Sequence, residues 1–449
     1  MAIRRTTATP LRWIETHVRR QALMTPRELL TVVVLALALL GLASRDAAAD
    51  TFPVAAEGFE NGLNGWSVTY GTWEVGVPTS GPAPNAQGNR AYEGTGAAGT
   101  VLSGNYADNQ DSRLVGPAFV VPTATQNPRL RFWSWIETYA GDYGQVEIKA
   151  GSGDWTALSP AYSGPGRVWN QVQLDLSAYA GQSVQLAFRF HSNAGTTAAG
   201  WYVDAVTLVT GALQTLQVNT AQSFEDGWQD WSSEGGPWEL GAPTSGPGAA
   251  HQGRHVMATV LAGNYPEWNS SVNAYAARLV SPAFTVPGVE VNPRLRFWQW
   301  YSFNAGPDYG EVQIKVGAGA WETLSRYAGS GGGVWSRPSV DLSAYAGQVV
   351  RIGFLFHAQD DSSSSPEVAP GWYLDEVTLV TGALATLTPN TPDGFEAGLR
   401  DWQVTDTGGE FPAPLTRPLA GRKTGSDGLG PGVYRSTSRR CVSGSRRRP

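Results

Sequence analysis

The chain has 449 residues, 41 % of them apolar, with 18 Trp, 16 Tyr and 14 Phe, enough for packed cores and too many for a disordered protein. Its 54 Gly and 29 Pro, against only 16 % charged residues, favour many short strands joined by turns over long helices. The formal charge of −6 conceals an acidic body: without residues 1–49 and 411–449, 16 basic and 34 acidic residues remain, about −18, which argues against nucleic acid as a partner.

From Leu29 to Ala43 an apolar run, LLTVVVLALALLGLA, follows Arg27 and precedes Ala47-Ala48-Ala49, a small-residue site just ahead of Asp50. These features describe a cleavable export leader over residues 1–49, and the run is shorter than the ~20 residues that span a bilayer. The expectation is a secreted or cell-surface protein with no stable membrane span after cleavage. Met24 is a second candidate start, giving a leader of ordinary length. The single cysteine, Cys441, allows neither an intramolecular disulfide nor a cysteine metal site.

Beyond the leader the chain repeats itself. GFENGLNGW at 58–66 aligns with SFEDGWQDW at 223–231 and GFEAGLRDW at 394–402. The pairs VPTSGP and APTSGP, LSGNY and LAGNY, NPRLRFWSW and NPRLRFWQW, DYGQVEIK and DYGEVQIK, and a twice-used DLSAYAGQ follow in order. Each copy closes on nearly the same phrase, GWYVDAVTLVTGAL at 200–213 and GWYLDEVTLVTGAL at 371–384. The copies are 165 and 171 residues apart by Glu60, Glu225 and Glu396, so each is a whole domain. Between the shared phrases, period-two stretches such as Arg129–Trp133 and Val146–Lys149 predict eight to twelve strands per copy. The fold class is therefore all-β, with two tandem antiparallel β-sandwich domains over 50–215 and 216–387.

Residues 388–411 begin a third repeat, and Trp402 precedes Glu410 by eight residues, as Trp66 does Glu74. After Phe411 the chain turns to PAPLTRPLAGRKTGSDGLG and ends in SRRCVSGSRRRP, losing strand pattern, tryptophan and acidic bias together. Residues 412–449 are expected to be a disordered basic tail, the product of a frameshift in a third domain or a binding segment in its own right.

Taken in order, FE.G...W, TSGP, GNY, SPAF, LRFW.W, D.G.V.I, DLSAYAGQ and GWY.DEVTL resemble the MAM-type jelly-roll domains over nearly all of residues 57–384. The nearest likeness is to their bacterial relatives in the carboxy-terminal accessory region of secreted immune inhibitor A type metallopeptidases. The resemblance implies a concanavalin-like sandwich serving as an accessory, adhesive or ligand-binding module. The cysteines of the animal domains are missing, as is the peptidase's zinc-binding domain.

In such jelly rolls the first and last strands lie together, so Glu60 and Asp204 are expected to converge in one sandwich, and Glu225 and Asp375 in the other. Two packed carboxylates repel and lose hydration unless a cation neutralises them. Structural calcium is the expected metal, drawing further oxygens from loops around Gln87-Gly88 and Gln252-Gly253. Asp142 and Asp308, in DYG, read instead as turn residues.

No HExxH, no G-x-S-x-G and no catalytic cysteine context is present. His251 and His255, in HQGRH, have a suggestive spacing, but Gly253 between them weakens a helix, and an exposed turn is expected. His191 and His357 are equivalent positions at strand ends. Trp133 and Trp135, like Trp298 and Trp300, fall on one side of a strand, where they either stack on sugar rings or, as expected here, pack between the sheets. Trp201 and Trp372 also read as core. The function expected is a non-catalytic tandem adhesion module with calcium, binding carbohydrate or protein at a cell surface; the alternative is a secreted hydrolase, or the detached accessory part of one.

Overall fold

In a computed structural model, residues 56–265, 275–304, 306–359, 368–396 and 402 are described. The leader, the tail after residue 410 and Cys441 lie outside them. Two β-sandwiches account for nearly everything described.

The first is built from β1 (Ser67–Thr69), β2 (Glu74–Gly76), β3 (Ala97–Gly99), β4 (Asp111–Val115), β5 (Phe119–Val120), β6 (Arg129–Glu137), β7 (Tyr143–Ala150), β8 (Thr156–Ala157), β9 (Asn170–Asp175), β10 (Ser183–His191) and β11 (Gly200–Val209). One sheet runs β1-β4-β10-β7-β8, with β5 also on β10, and the other runs β2-β3-β11-β6-β9. The second sandwich repeats this order with β12 (Ser232–Glu234), β13 (Glu239–Gly241), β14 (Val256–Ala258), β15 (Tyr275–Val280), β16 (Phe284–Thr285), β17 (Arg294–Ser302), β18 (Tyr309–Val316), β19 (Trp321–Ala328), β20 (Ser339–Asp341), β21 (Val349–Ala358) and β22 (Gly371–Val380). Neighbouring strands pair antiparallel, as the alternating pattern requires.

Alternation sends Leu130, Phe132 and Ile136 of β6, Val146 and Ile148 of β7, Phe188 and Phe190 of β10, and Trp201 and Val203 of β11 into one core between the sheets. Trp201 and Trp372 are fully buried there, as expected, and each indole N–H finds a partner, donating to Ser134 Oγ at 2.8 Å and to Gln299 Oε1 at 3.0 Å. Trp133 and Trp135 depart from expectation. They occupy the opposite face of β6, outside the sandwich, where Trp135 packs on Tyr202 and Trp300 packs likewise on Tyr373. The period of two was read correctly, but the next repeat and the loops also cover that outer face.

Asp142 closes a turn, as expected, donating its N–H to Tyr139 O at 3.0 Å, and the strands begin at the next residue of each DYG phrase, Tyr143 and Tyr309. Gly144 lies in β7, and a Cβ there would stand 2.4 Å from the Trp201 ring; at Gly310 it would stand 2.7 Å from Trp372. Asp142 is buried, accepting from Tyr106 Oη at 2.5 Å and Asn193 N at 2.8 Å, so it ties two loops to the strand. We expect Gly144→Ala to lower stability by about 1–3 kcal/mol through overpacking against the indole, measured by urea unfolding.

The two sandwiches meet along the β6–β9 edge of the first. Asp230, whose side chain is 3 % exposed, accepts on Oδ1 from Arg129 Nε and Nη2 at 3.1 and 2.9 Å and from Arg131 Nη2 at 3.1 Å. Its Oδ2 accepts from Gln214 N at 2.7 Å. Gln171 Nε2 donates to the carbonyls of Gln229 and Trp231, both at 2.9 Å, and Asn170 Oδ1 accepts from Trp238 N at 2.9 Å.

Candidate functional site

Asp204 owes its position to a bulge. It lies opposite Trp133, yet Thr207 lies opposite Arg131, so β11 carries one extra residue, and Ala205 takes the left-handed region at φ 48°. The kink turns the carboxylate to accept from Ala205 N at 2.6 Å and, on Oδ2, from Glu93 N at 3.0 Å. β22 does the same. Glu376 has φ 48°, and Asp375 accepts from Glu376 N at 2.7 Å and Gln252 N at 2.9 Å.

Glu60 follows Phe59, which is left-handed at φ 57°, and accepts from Thr95 N and Gly96 N, both at 2.8 Å, and from Thr95 Oγ1 at 2.9 Å. Glu225 follows Phe224 at φ 61° and accepts from Arg254 N and His255 N, both at 2.8 Å. Each Glu and Asp pair thus grips a single loop, 92–96 or 251–255, from two sides. A Cβ on Gly58 would lie 3.7 Å from Asp204 Oδ1 and 3.9 Å from Glu60 Cγ, so the two side chains flank one spot. In the first sandwich the gripped loop is Glu93-Gly94 and not Gln87-Gly88; Gln252-Gly253 is its counterpart in the second. Gly94 and Gly253, at φ 62° and 69°, leave no room for a Cβ beside the glutamate oxygens.

The two members of each pair differ electrostatically. Burial pushes the Asp204 carboxyl up to about 7 despite the backbone N–H donors that favour its charge, and the Glu60 charge adds to the rise. Burial also pushes Asp375 up, to about 6. Glu60 is exposed; slight desolvation raises it, but its donors, Gly96 N and the Thr95 N–H and O–H, hold it below the ordinary range, and the backbone of His255 and Arg254 lowers Glu225. Among the described residues neither buried aspartate has a cationic side-chain partner, and no three or more His, Cys, Asp or Glu gather. Glu60 with Asp204, and Glu225 with Asp375, are the residues that could hold a hard cation, which would supply the missing positive charge and would need its remaining oxygens from carbonyls and water.

Next to this loop, on the outer face of β6, lies a groove of about 750 Å³. Tyr92 stacks on Trp133 with centroids 3.6 Å apart, and Trp169 stands across it at 6.2 Å and 63°. Trp228 of the second sandwich closes the far edge of Trp133 at 5.9 Å and 86°. Arg131, Gln171, Glu93 and Asn85 contribute polar lining. The second sandwich rebuilds the platform with different chemistry: His251 stacks on Trp298 at 3.7 Å, Trp335 stands across at 5.9 Å and 73°, and Arg337 lies 5.7 Å over Trp298. Glu376 holds His251 Nδ1 at 2.9 Å.

The HQGRH histidines therefore belong to a structured loop instead of an exposed turn, with His255 Nδ1 3.5 Å from Glu225. His191 and His357 end their strands as expected, each against a tyrosine, Tyr143 or Tyr309. The platform escaped sequence reasoning because Tyr92 and His251 lie in loops that differ between the copies in sequence and length, 32 residues after Glu60 and 26 after Glu225.

No family model matches the chain. Two bacterial proteases carry a related stretch. The chain is 36 % identical over 154 residues to Bacillopeptidase F of Bacillus subtilis, covering 33 % of this chain and 10 % of that protein. It is 33 % identical over 143 residues to the Pre-pro-metalloprotease PrtV of Vibrio cholerae, covering 29 % of this chain and 15 % of that one. The chain thus spans a small part of the relatives it matches, and the expected kinship with regions of bacterial peptidases stands. Among solved structures it is similar to the CBM22-1–CBM22-2 tandem domain of Xyn10C from Paenibacillus barcinonensis, at 14 % identity and TM-score 0.23, covering 73 % of this chain and 96 % of that one. It is also similar to a cleaved adhesin domain of Lys-gingipain from Porphyromonas gingivalis, at 23 % identity and TM-score 0.25, covering 35 % and 98 %. No helix among the described residues is long and apolar enough to cross a membrane.

Proposed function

We propose that the chain is an exported, non-catalytic pair of β-sandwich modules that binds glycans on its outer-face platforms, each sandwich being held by one calcium ion at Glu60 and Asp204 or at Glu225 and Asp375. The observation that carries this reading is the groove itself, in which a half-exposed ring over a second ring, a perpendicular indole and a polar rim meet in one place. A pyranose buries its apolar face on such a ring while the exposed Asn85 and Glu93 reach its hydroxyls. Calcium would not touch the sugar. It would fix the 92–96 loop, and with it Tyr92, by neutralising the carboxylates that grip that loop.

Two platforms on one chain raise avidity for a repeating surface glycan. A glycan array probed with the intact protein in calcium tests the reading. Tyr92→Ala and His251→Ala are each expected to weaken binding by about tenfold, the worth of one stacked ring, while the protein stays folded with a melting temperature only a few degrees lower. If no glycan binds, or if the double variant binds undiminished, the platforms are not sugar sites and a protein ligand takes their place. The protease relatives favour a second reading, in which the chain is the accessory part of a secreted metallopeptidase.

A further inference from the structure

The joint between the sandwiches is written into the repeat, and the second sandwich carries it again. Arg294 and Arg296 of β17 match Arg129 and Arg131 of β6 in register with the closing strand: Arg129 pairs with Val209 and Arg294 with Val380, Arg131 with Thr207 and Arg296 with Thr378. The first arginine of each pair is anchored in the same way. Arg129 Nη1 donates to Asn127 O at 2.9 Å and Gly211 O at 3.2 Å, and Arg294 Nη1 donates to Asn292 O at 3.0 Å and Gly382 O at 3.3 Å. One side of the guanidinium is fixed by its own sandwich. In the first sandwich, the other side receives Asp230 of the next repeat.

The chain that follows the second sandwich has the matching half. Asp401 stands five residues after Glu396, as Asp230 does after Glu225, and sixteen after Ala385, as Asp230 does after Gln214, so the connecting segment has the same length. The two described aromatic residues of the third repeat's opening, Phe395 and Trp402, stand as their counterparts do. Phe395 has φ 55°, beside 57° and 61° at Phe59 and Phe224, and its ring lies 5.6 Å from Trp402, against 5.6 and 5.4 Å for Phe59–Trp66 and Phe224–Trp231. Phe395 and Trp402 are nevertheless 50 % and 43 % exposed, whereas Phe224 and Trp231 are fully buried.

We infer that residues 394–402 dock on the β17–β20 edge of the second sandwich through Asp401 and the Arg294–Arg296 pair, as residues 223–231 dock on the first. The joint is a coupler that lets sandwiches be added in a fixed orientation, and this inference is independent of the glycan reading. Its chemistry favours this occupant over a foreign one. The edge is cationic in an otherwise acidic body, and it ends where a linker of the required length delivers an aspartate.

The test is hydrogen exchange on the full chain and on its Asp401→Ala variant, with Asp226→Ala as a surface control. Docking predicts that Asp401→Ala speeds exchange of the β17 and β20 amides, and proteolysis within 388–410, by about tenfold, the loss of one charge-assisted pair. The control and the β6–β9 edge should not change. Asp401 follows both sandwiches in the sequence, so the variant should fold. Exchange in β17 and β20 that is the same with Asp401, without it, and in a chain ending at residue 387 would overturn the inference.

Discussion

Asp230→Ala is expected to lower the stability of the chain by about 3–5 kcal/mol and to separate one melting transition into two. Among the described residues the carboxylate is the only acidic group that Arg129 and Arg131 bond to directly, and its removal leaves two guanidinium groups facing each other, one of them with a side chain only 10 % exposed. Breaking a buried pair by deleting one partner costs that much because a charge remains with no compensation. Burial already depresses the basicity of Arg131, against the Asp230 charge that restores it. The Gln214 N–H loses its acceptor as well. Asp230→Asn should fall between the two, since it keeps acceptor capacity and loses charge. Urea unfolding followed by calorimetry measures both effects. A loss below about 1 kcal/mol, with one transition kept, would mean that the β9–β12 contacts alone hold the sandwiches together.

Calcium removal should give the second large effect, with a pH dependence of definite sign. Asp204 is raised to about 7 and Asp375 to about 6 from an unfolded value near 3.9, so each group favours folding fully only when protonated. In chelator, stability is therefore present at low pH and is lost as pH rises from about 4 to about 7, by roughly 3–4 kcal/mol per sandwich. Bound calcium pairs with the charged form and reverses that loss. Calorimetric melts should differ by roughly 10 °C between calcium and chelator at pH 8 and by much less at pH 5. Asp204→Asn sharpens the test, because it should raise the melting temperature in chelator at pH 8 and lower it in calcium. Identical melts with and without calcium at pH 8 would remove the ion from the proposed function.

How much of this was legible beforehand differs from residue to residue. Glu60 and Asp204 could be paired because both stand in repeated phrases at the two ends of a domain, and a jelly roll brings those ends together; the bridge between Glu57 and Val206 does so here. The bulge that aims Asp204 was not legible, since GWYVDAVTLV reads as an unbroken strand and Ala205 gives no sign that it must be left-handed. RLRFW likewise announced a strand, but nothing in it singled out its arginines. Their partner, Asp230, lies 101 residues from Arg129, where no local pattern links them.

The sequence by itself determined the all-β class, the strand period, the two copies and the opening phrase of a third, because alternation and self-similarity are properties of neighbouring residues and of spacing. The tertiary structure alone decided which face of β6 is inside, which loop the carboxylates grip, and that the outer face carries ring platforms and a joint. The physical reason is that a period of two defines two faces without ranking them. The ranking comes from what packs on each face, and here both are covered, one by the opposite sheet and the other by loops and the next repeat.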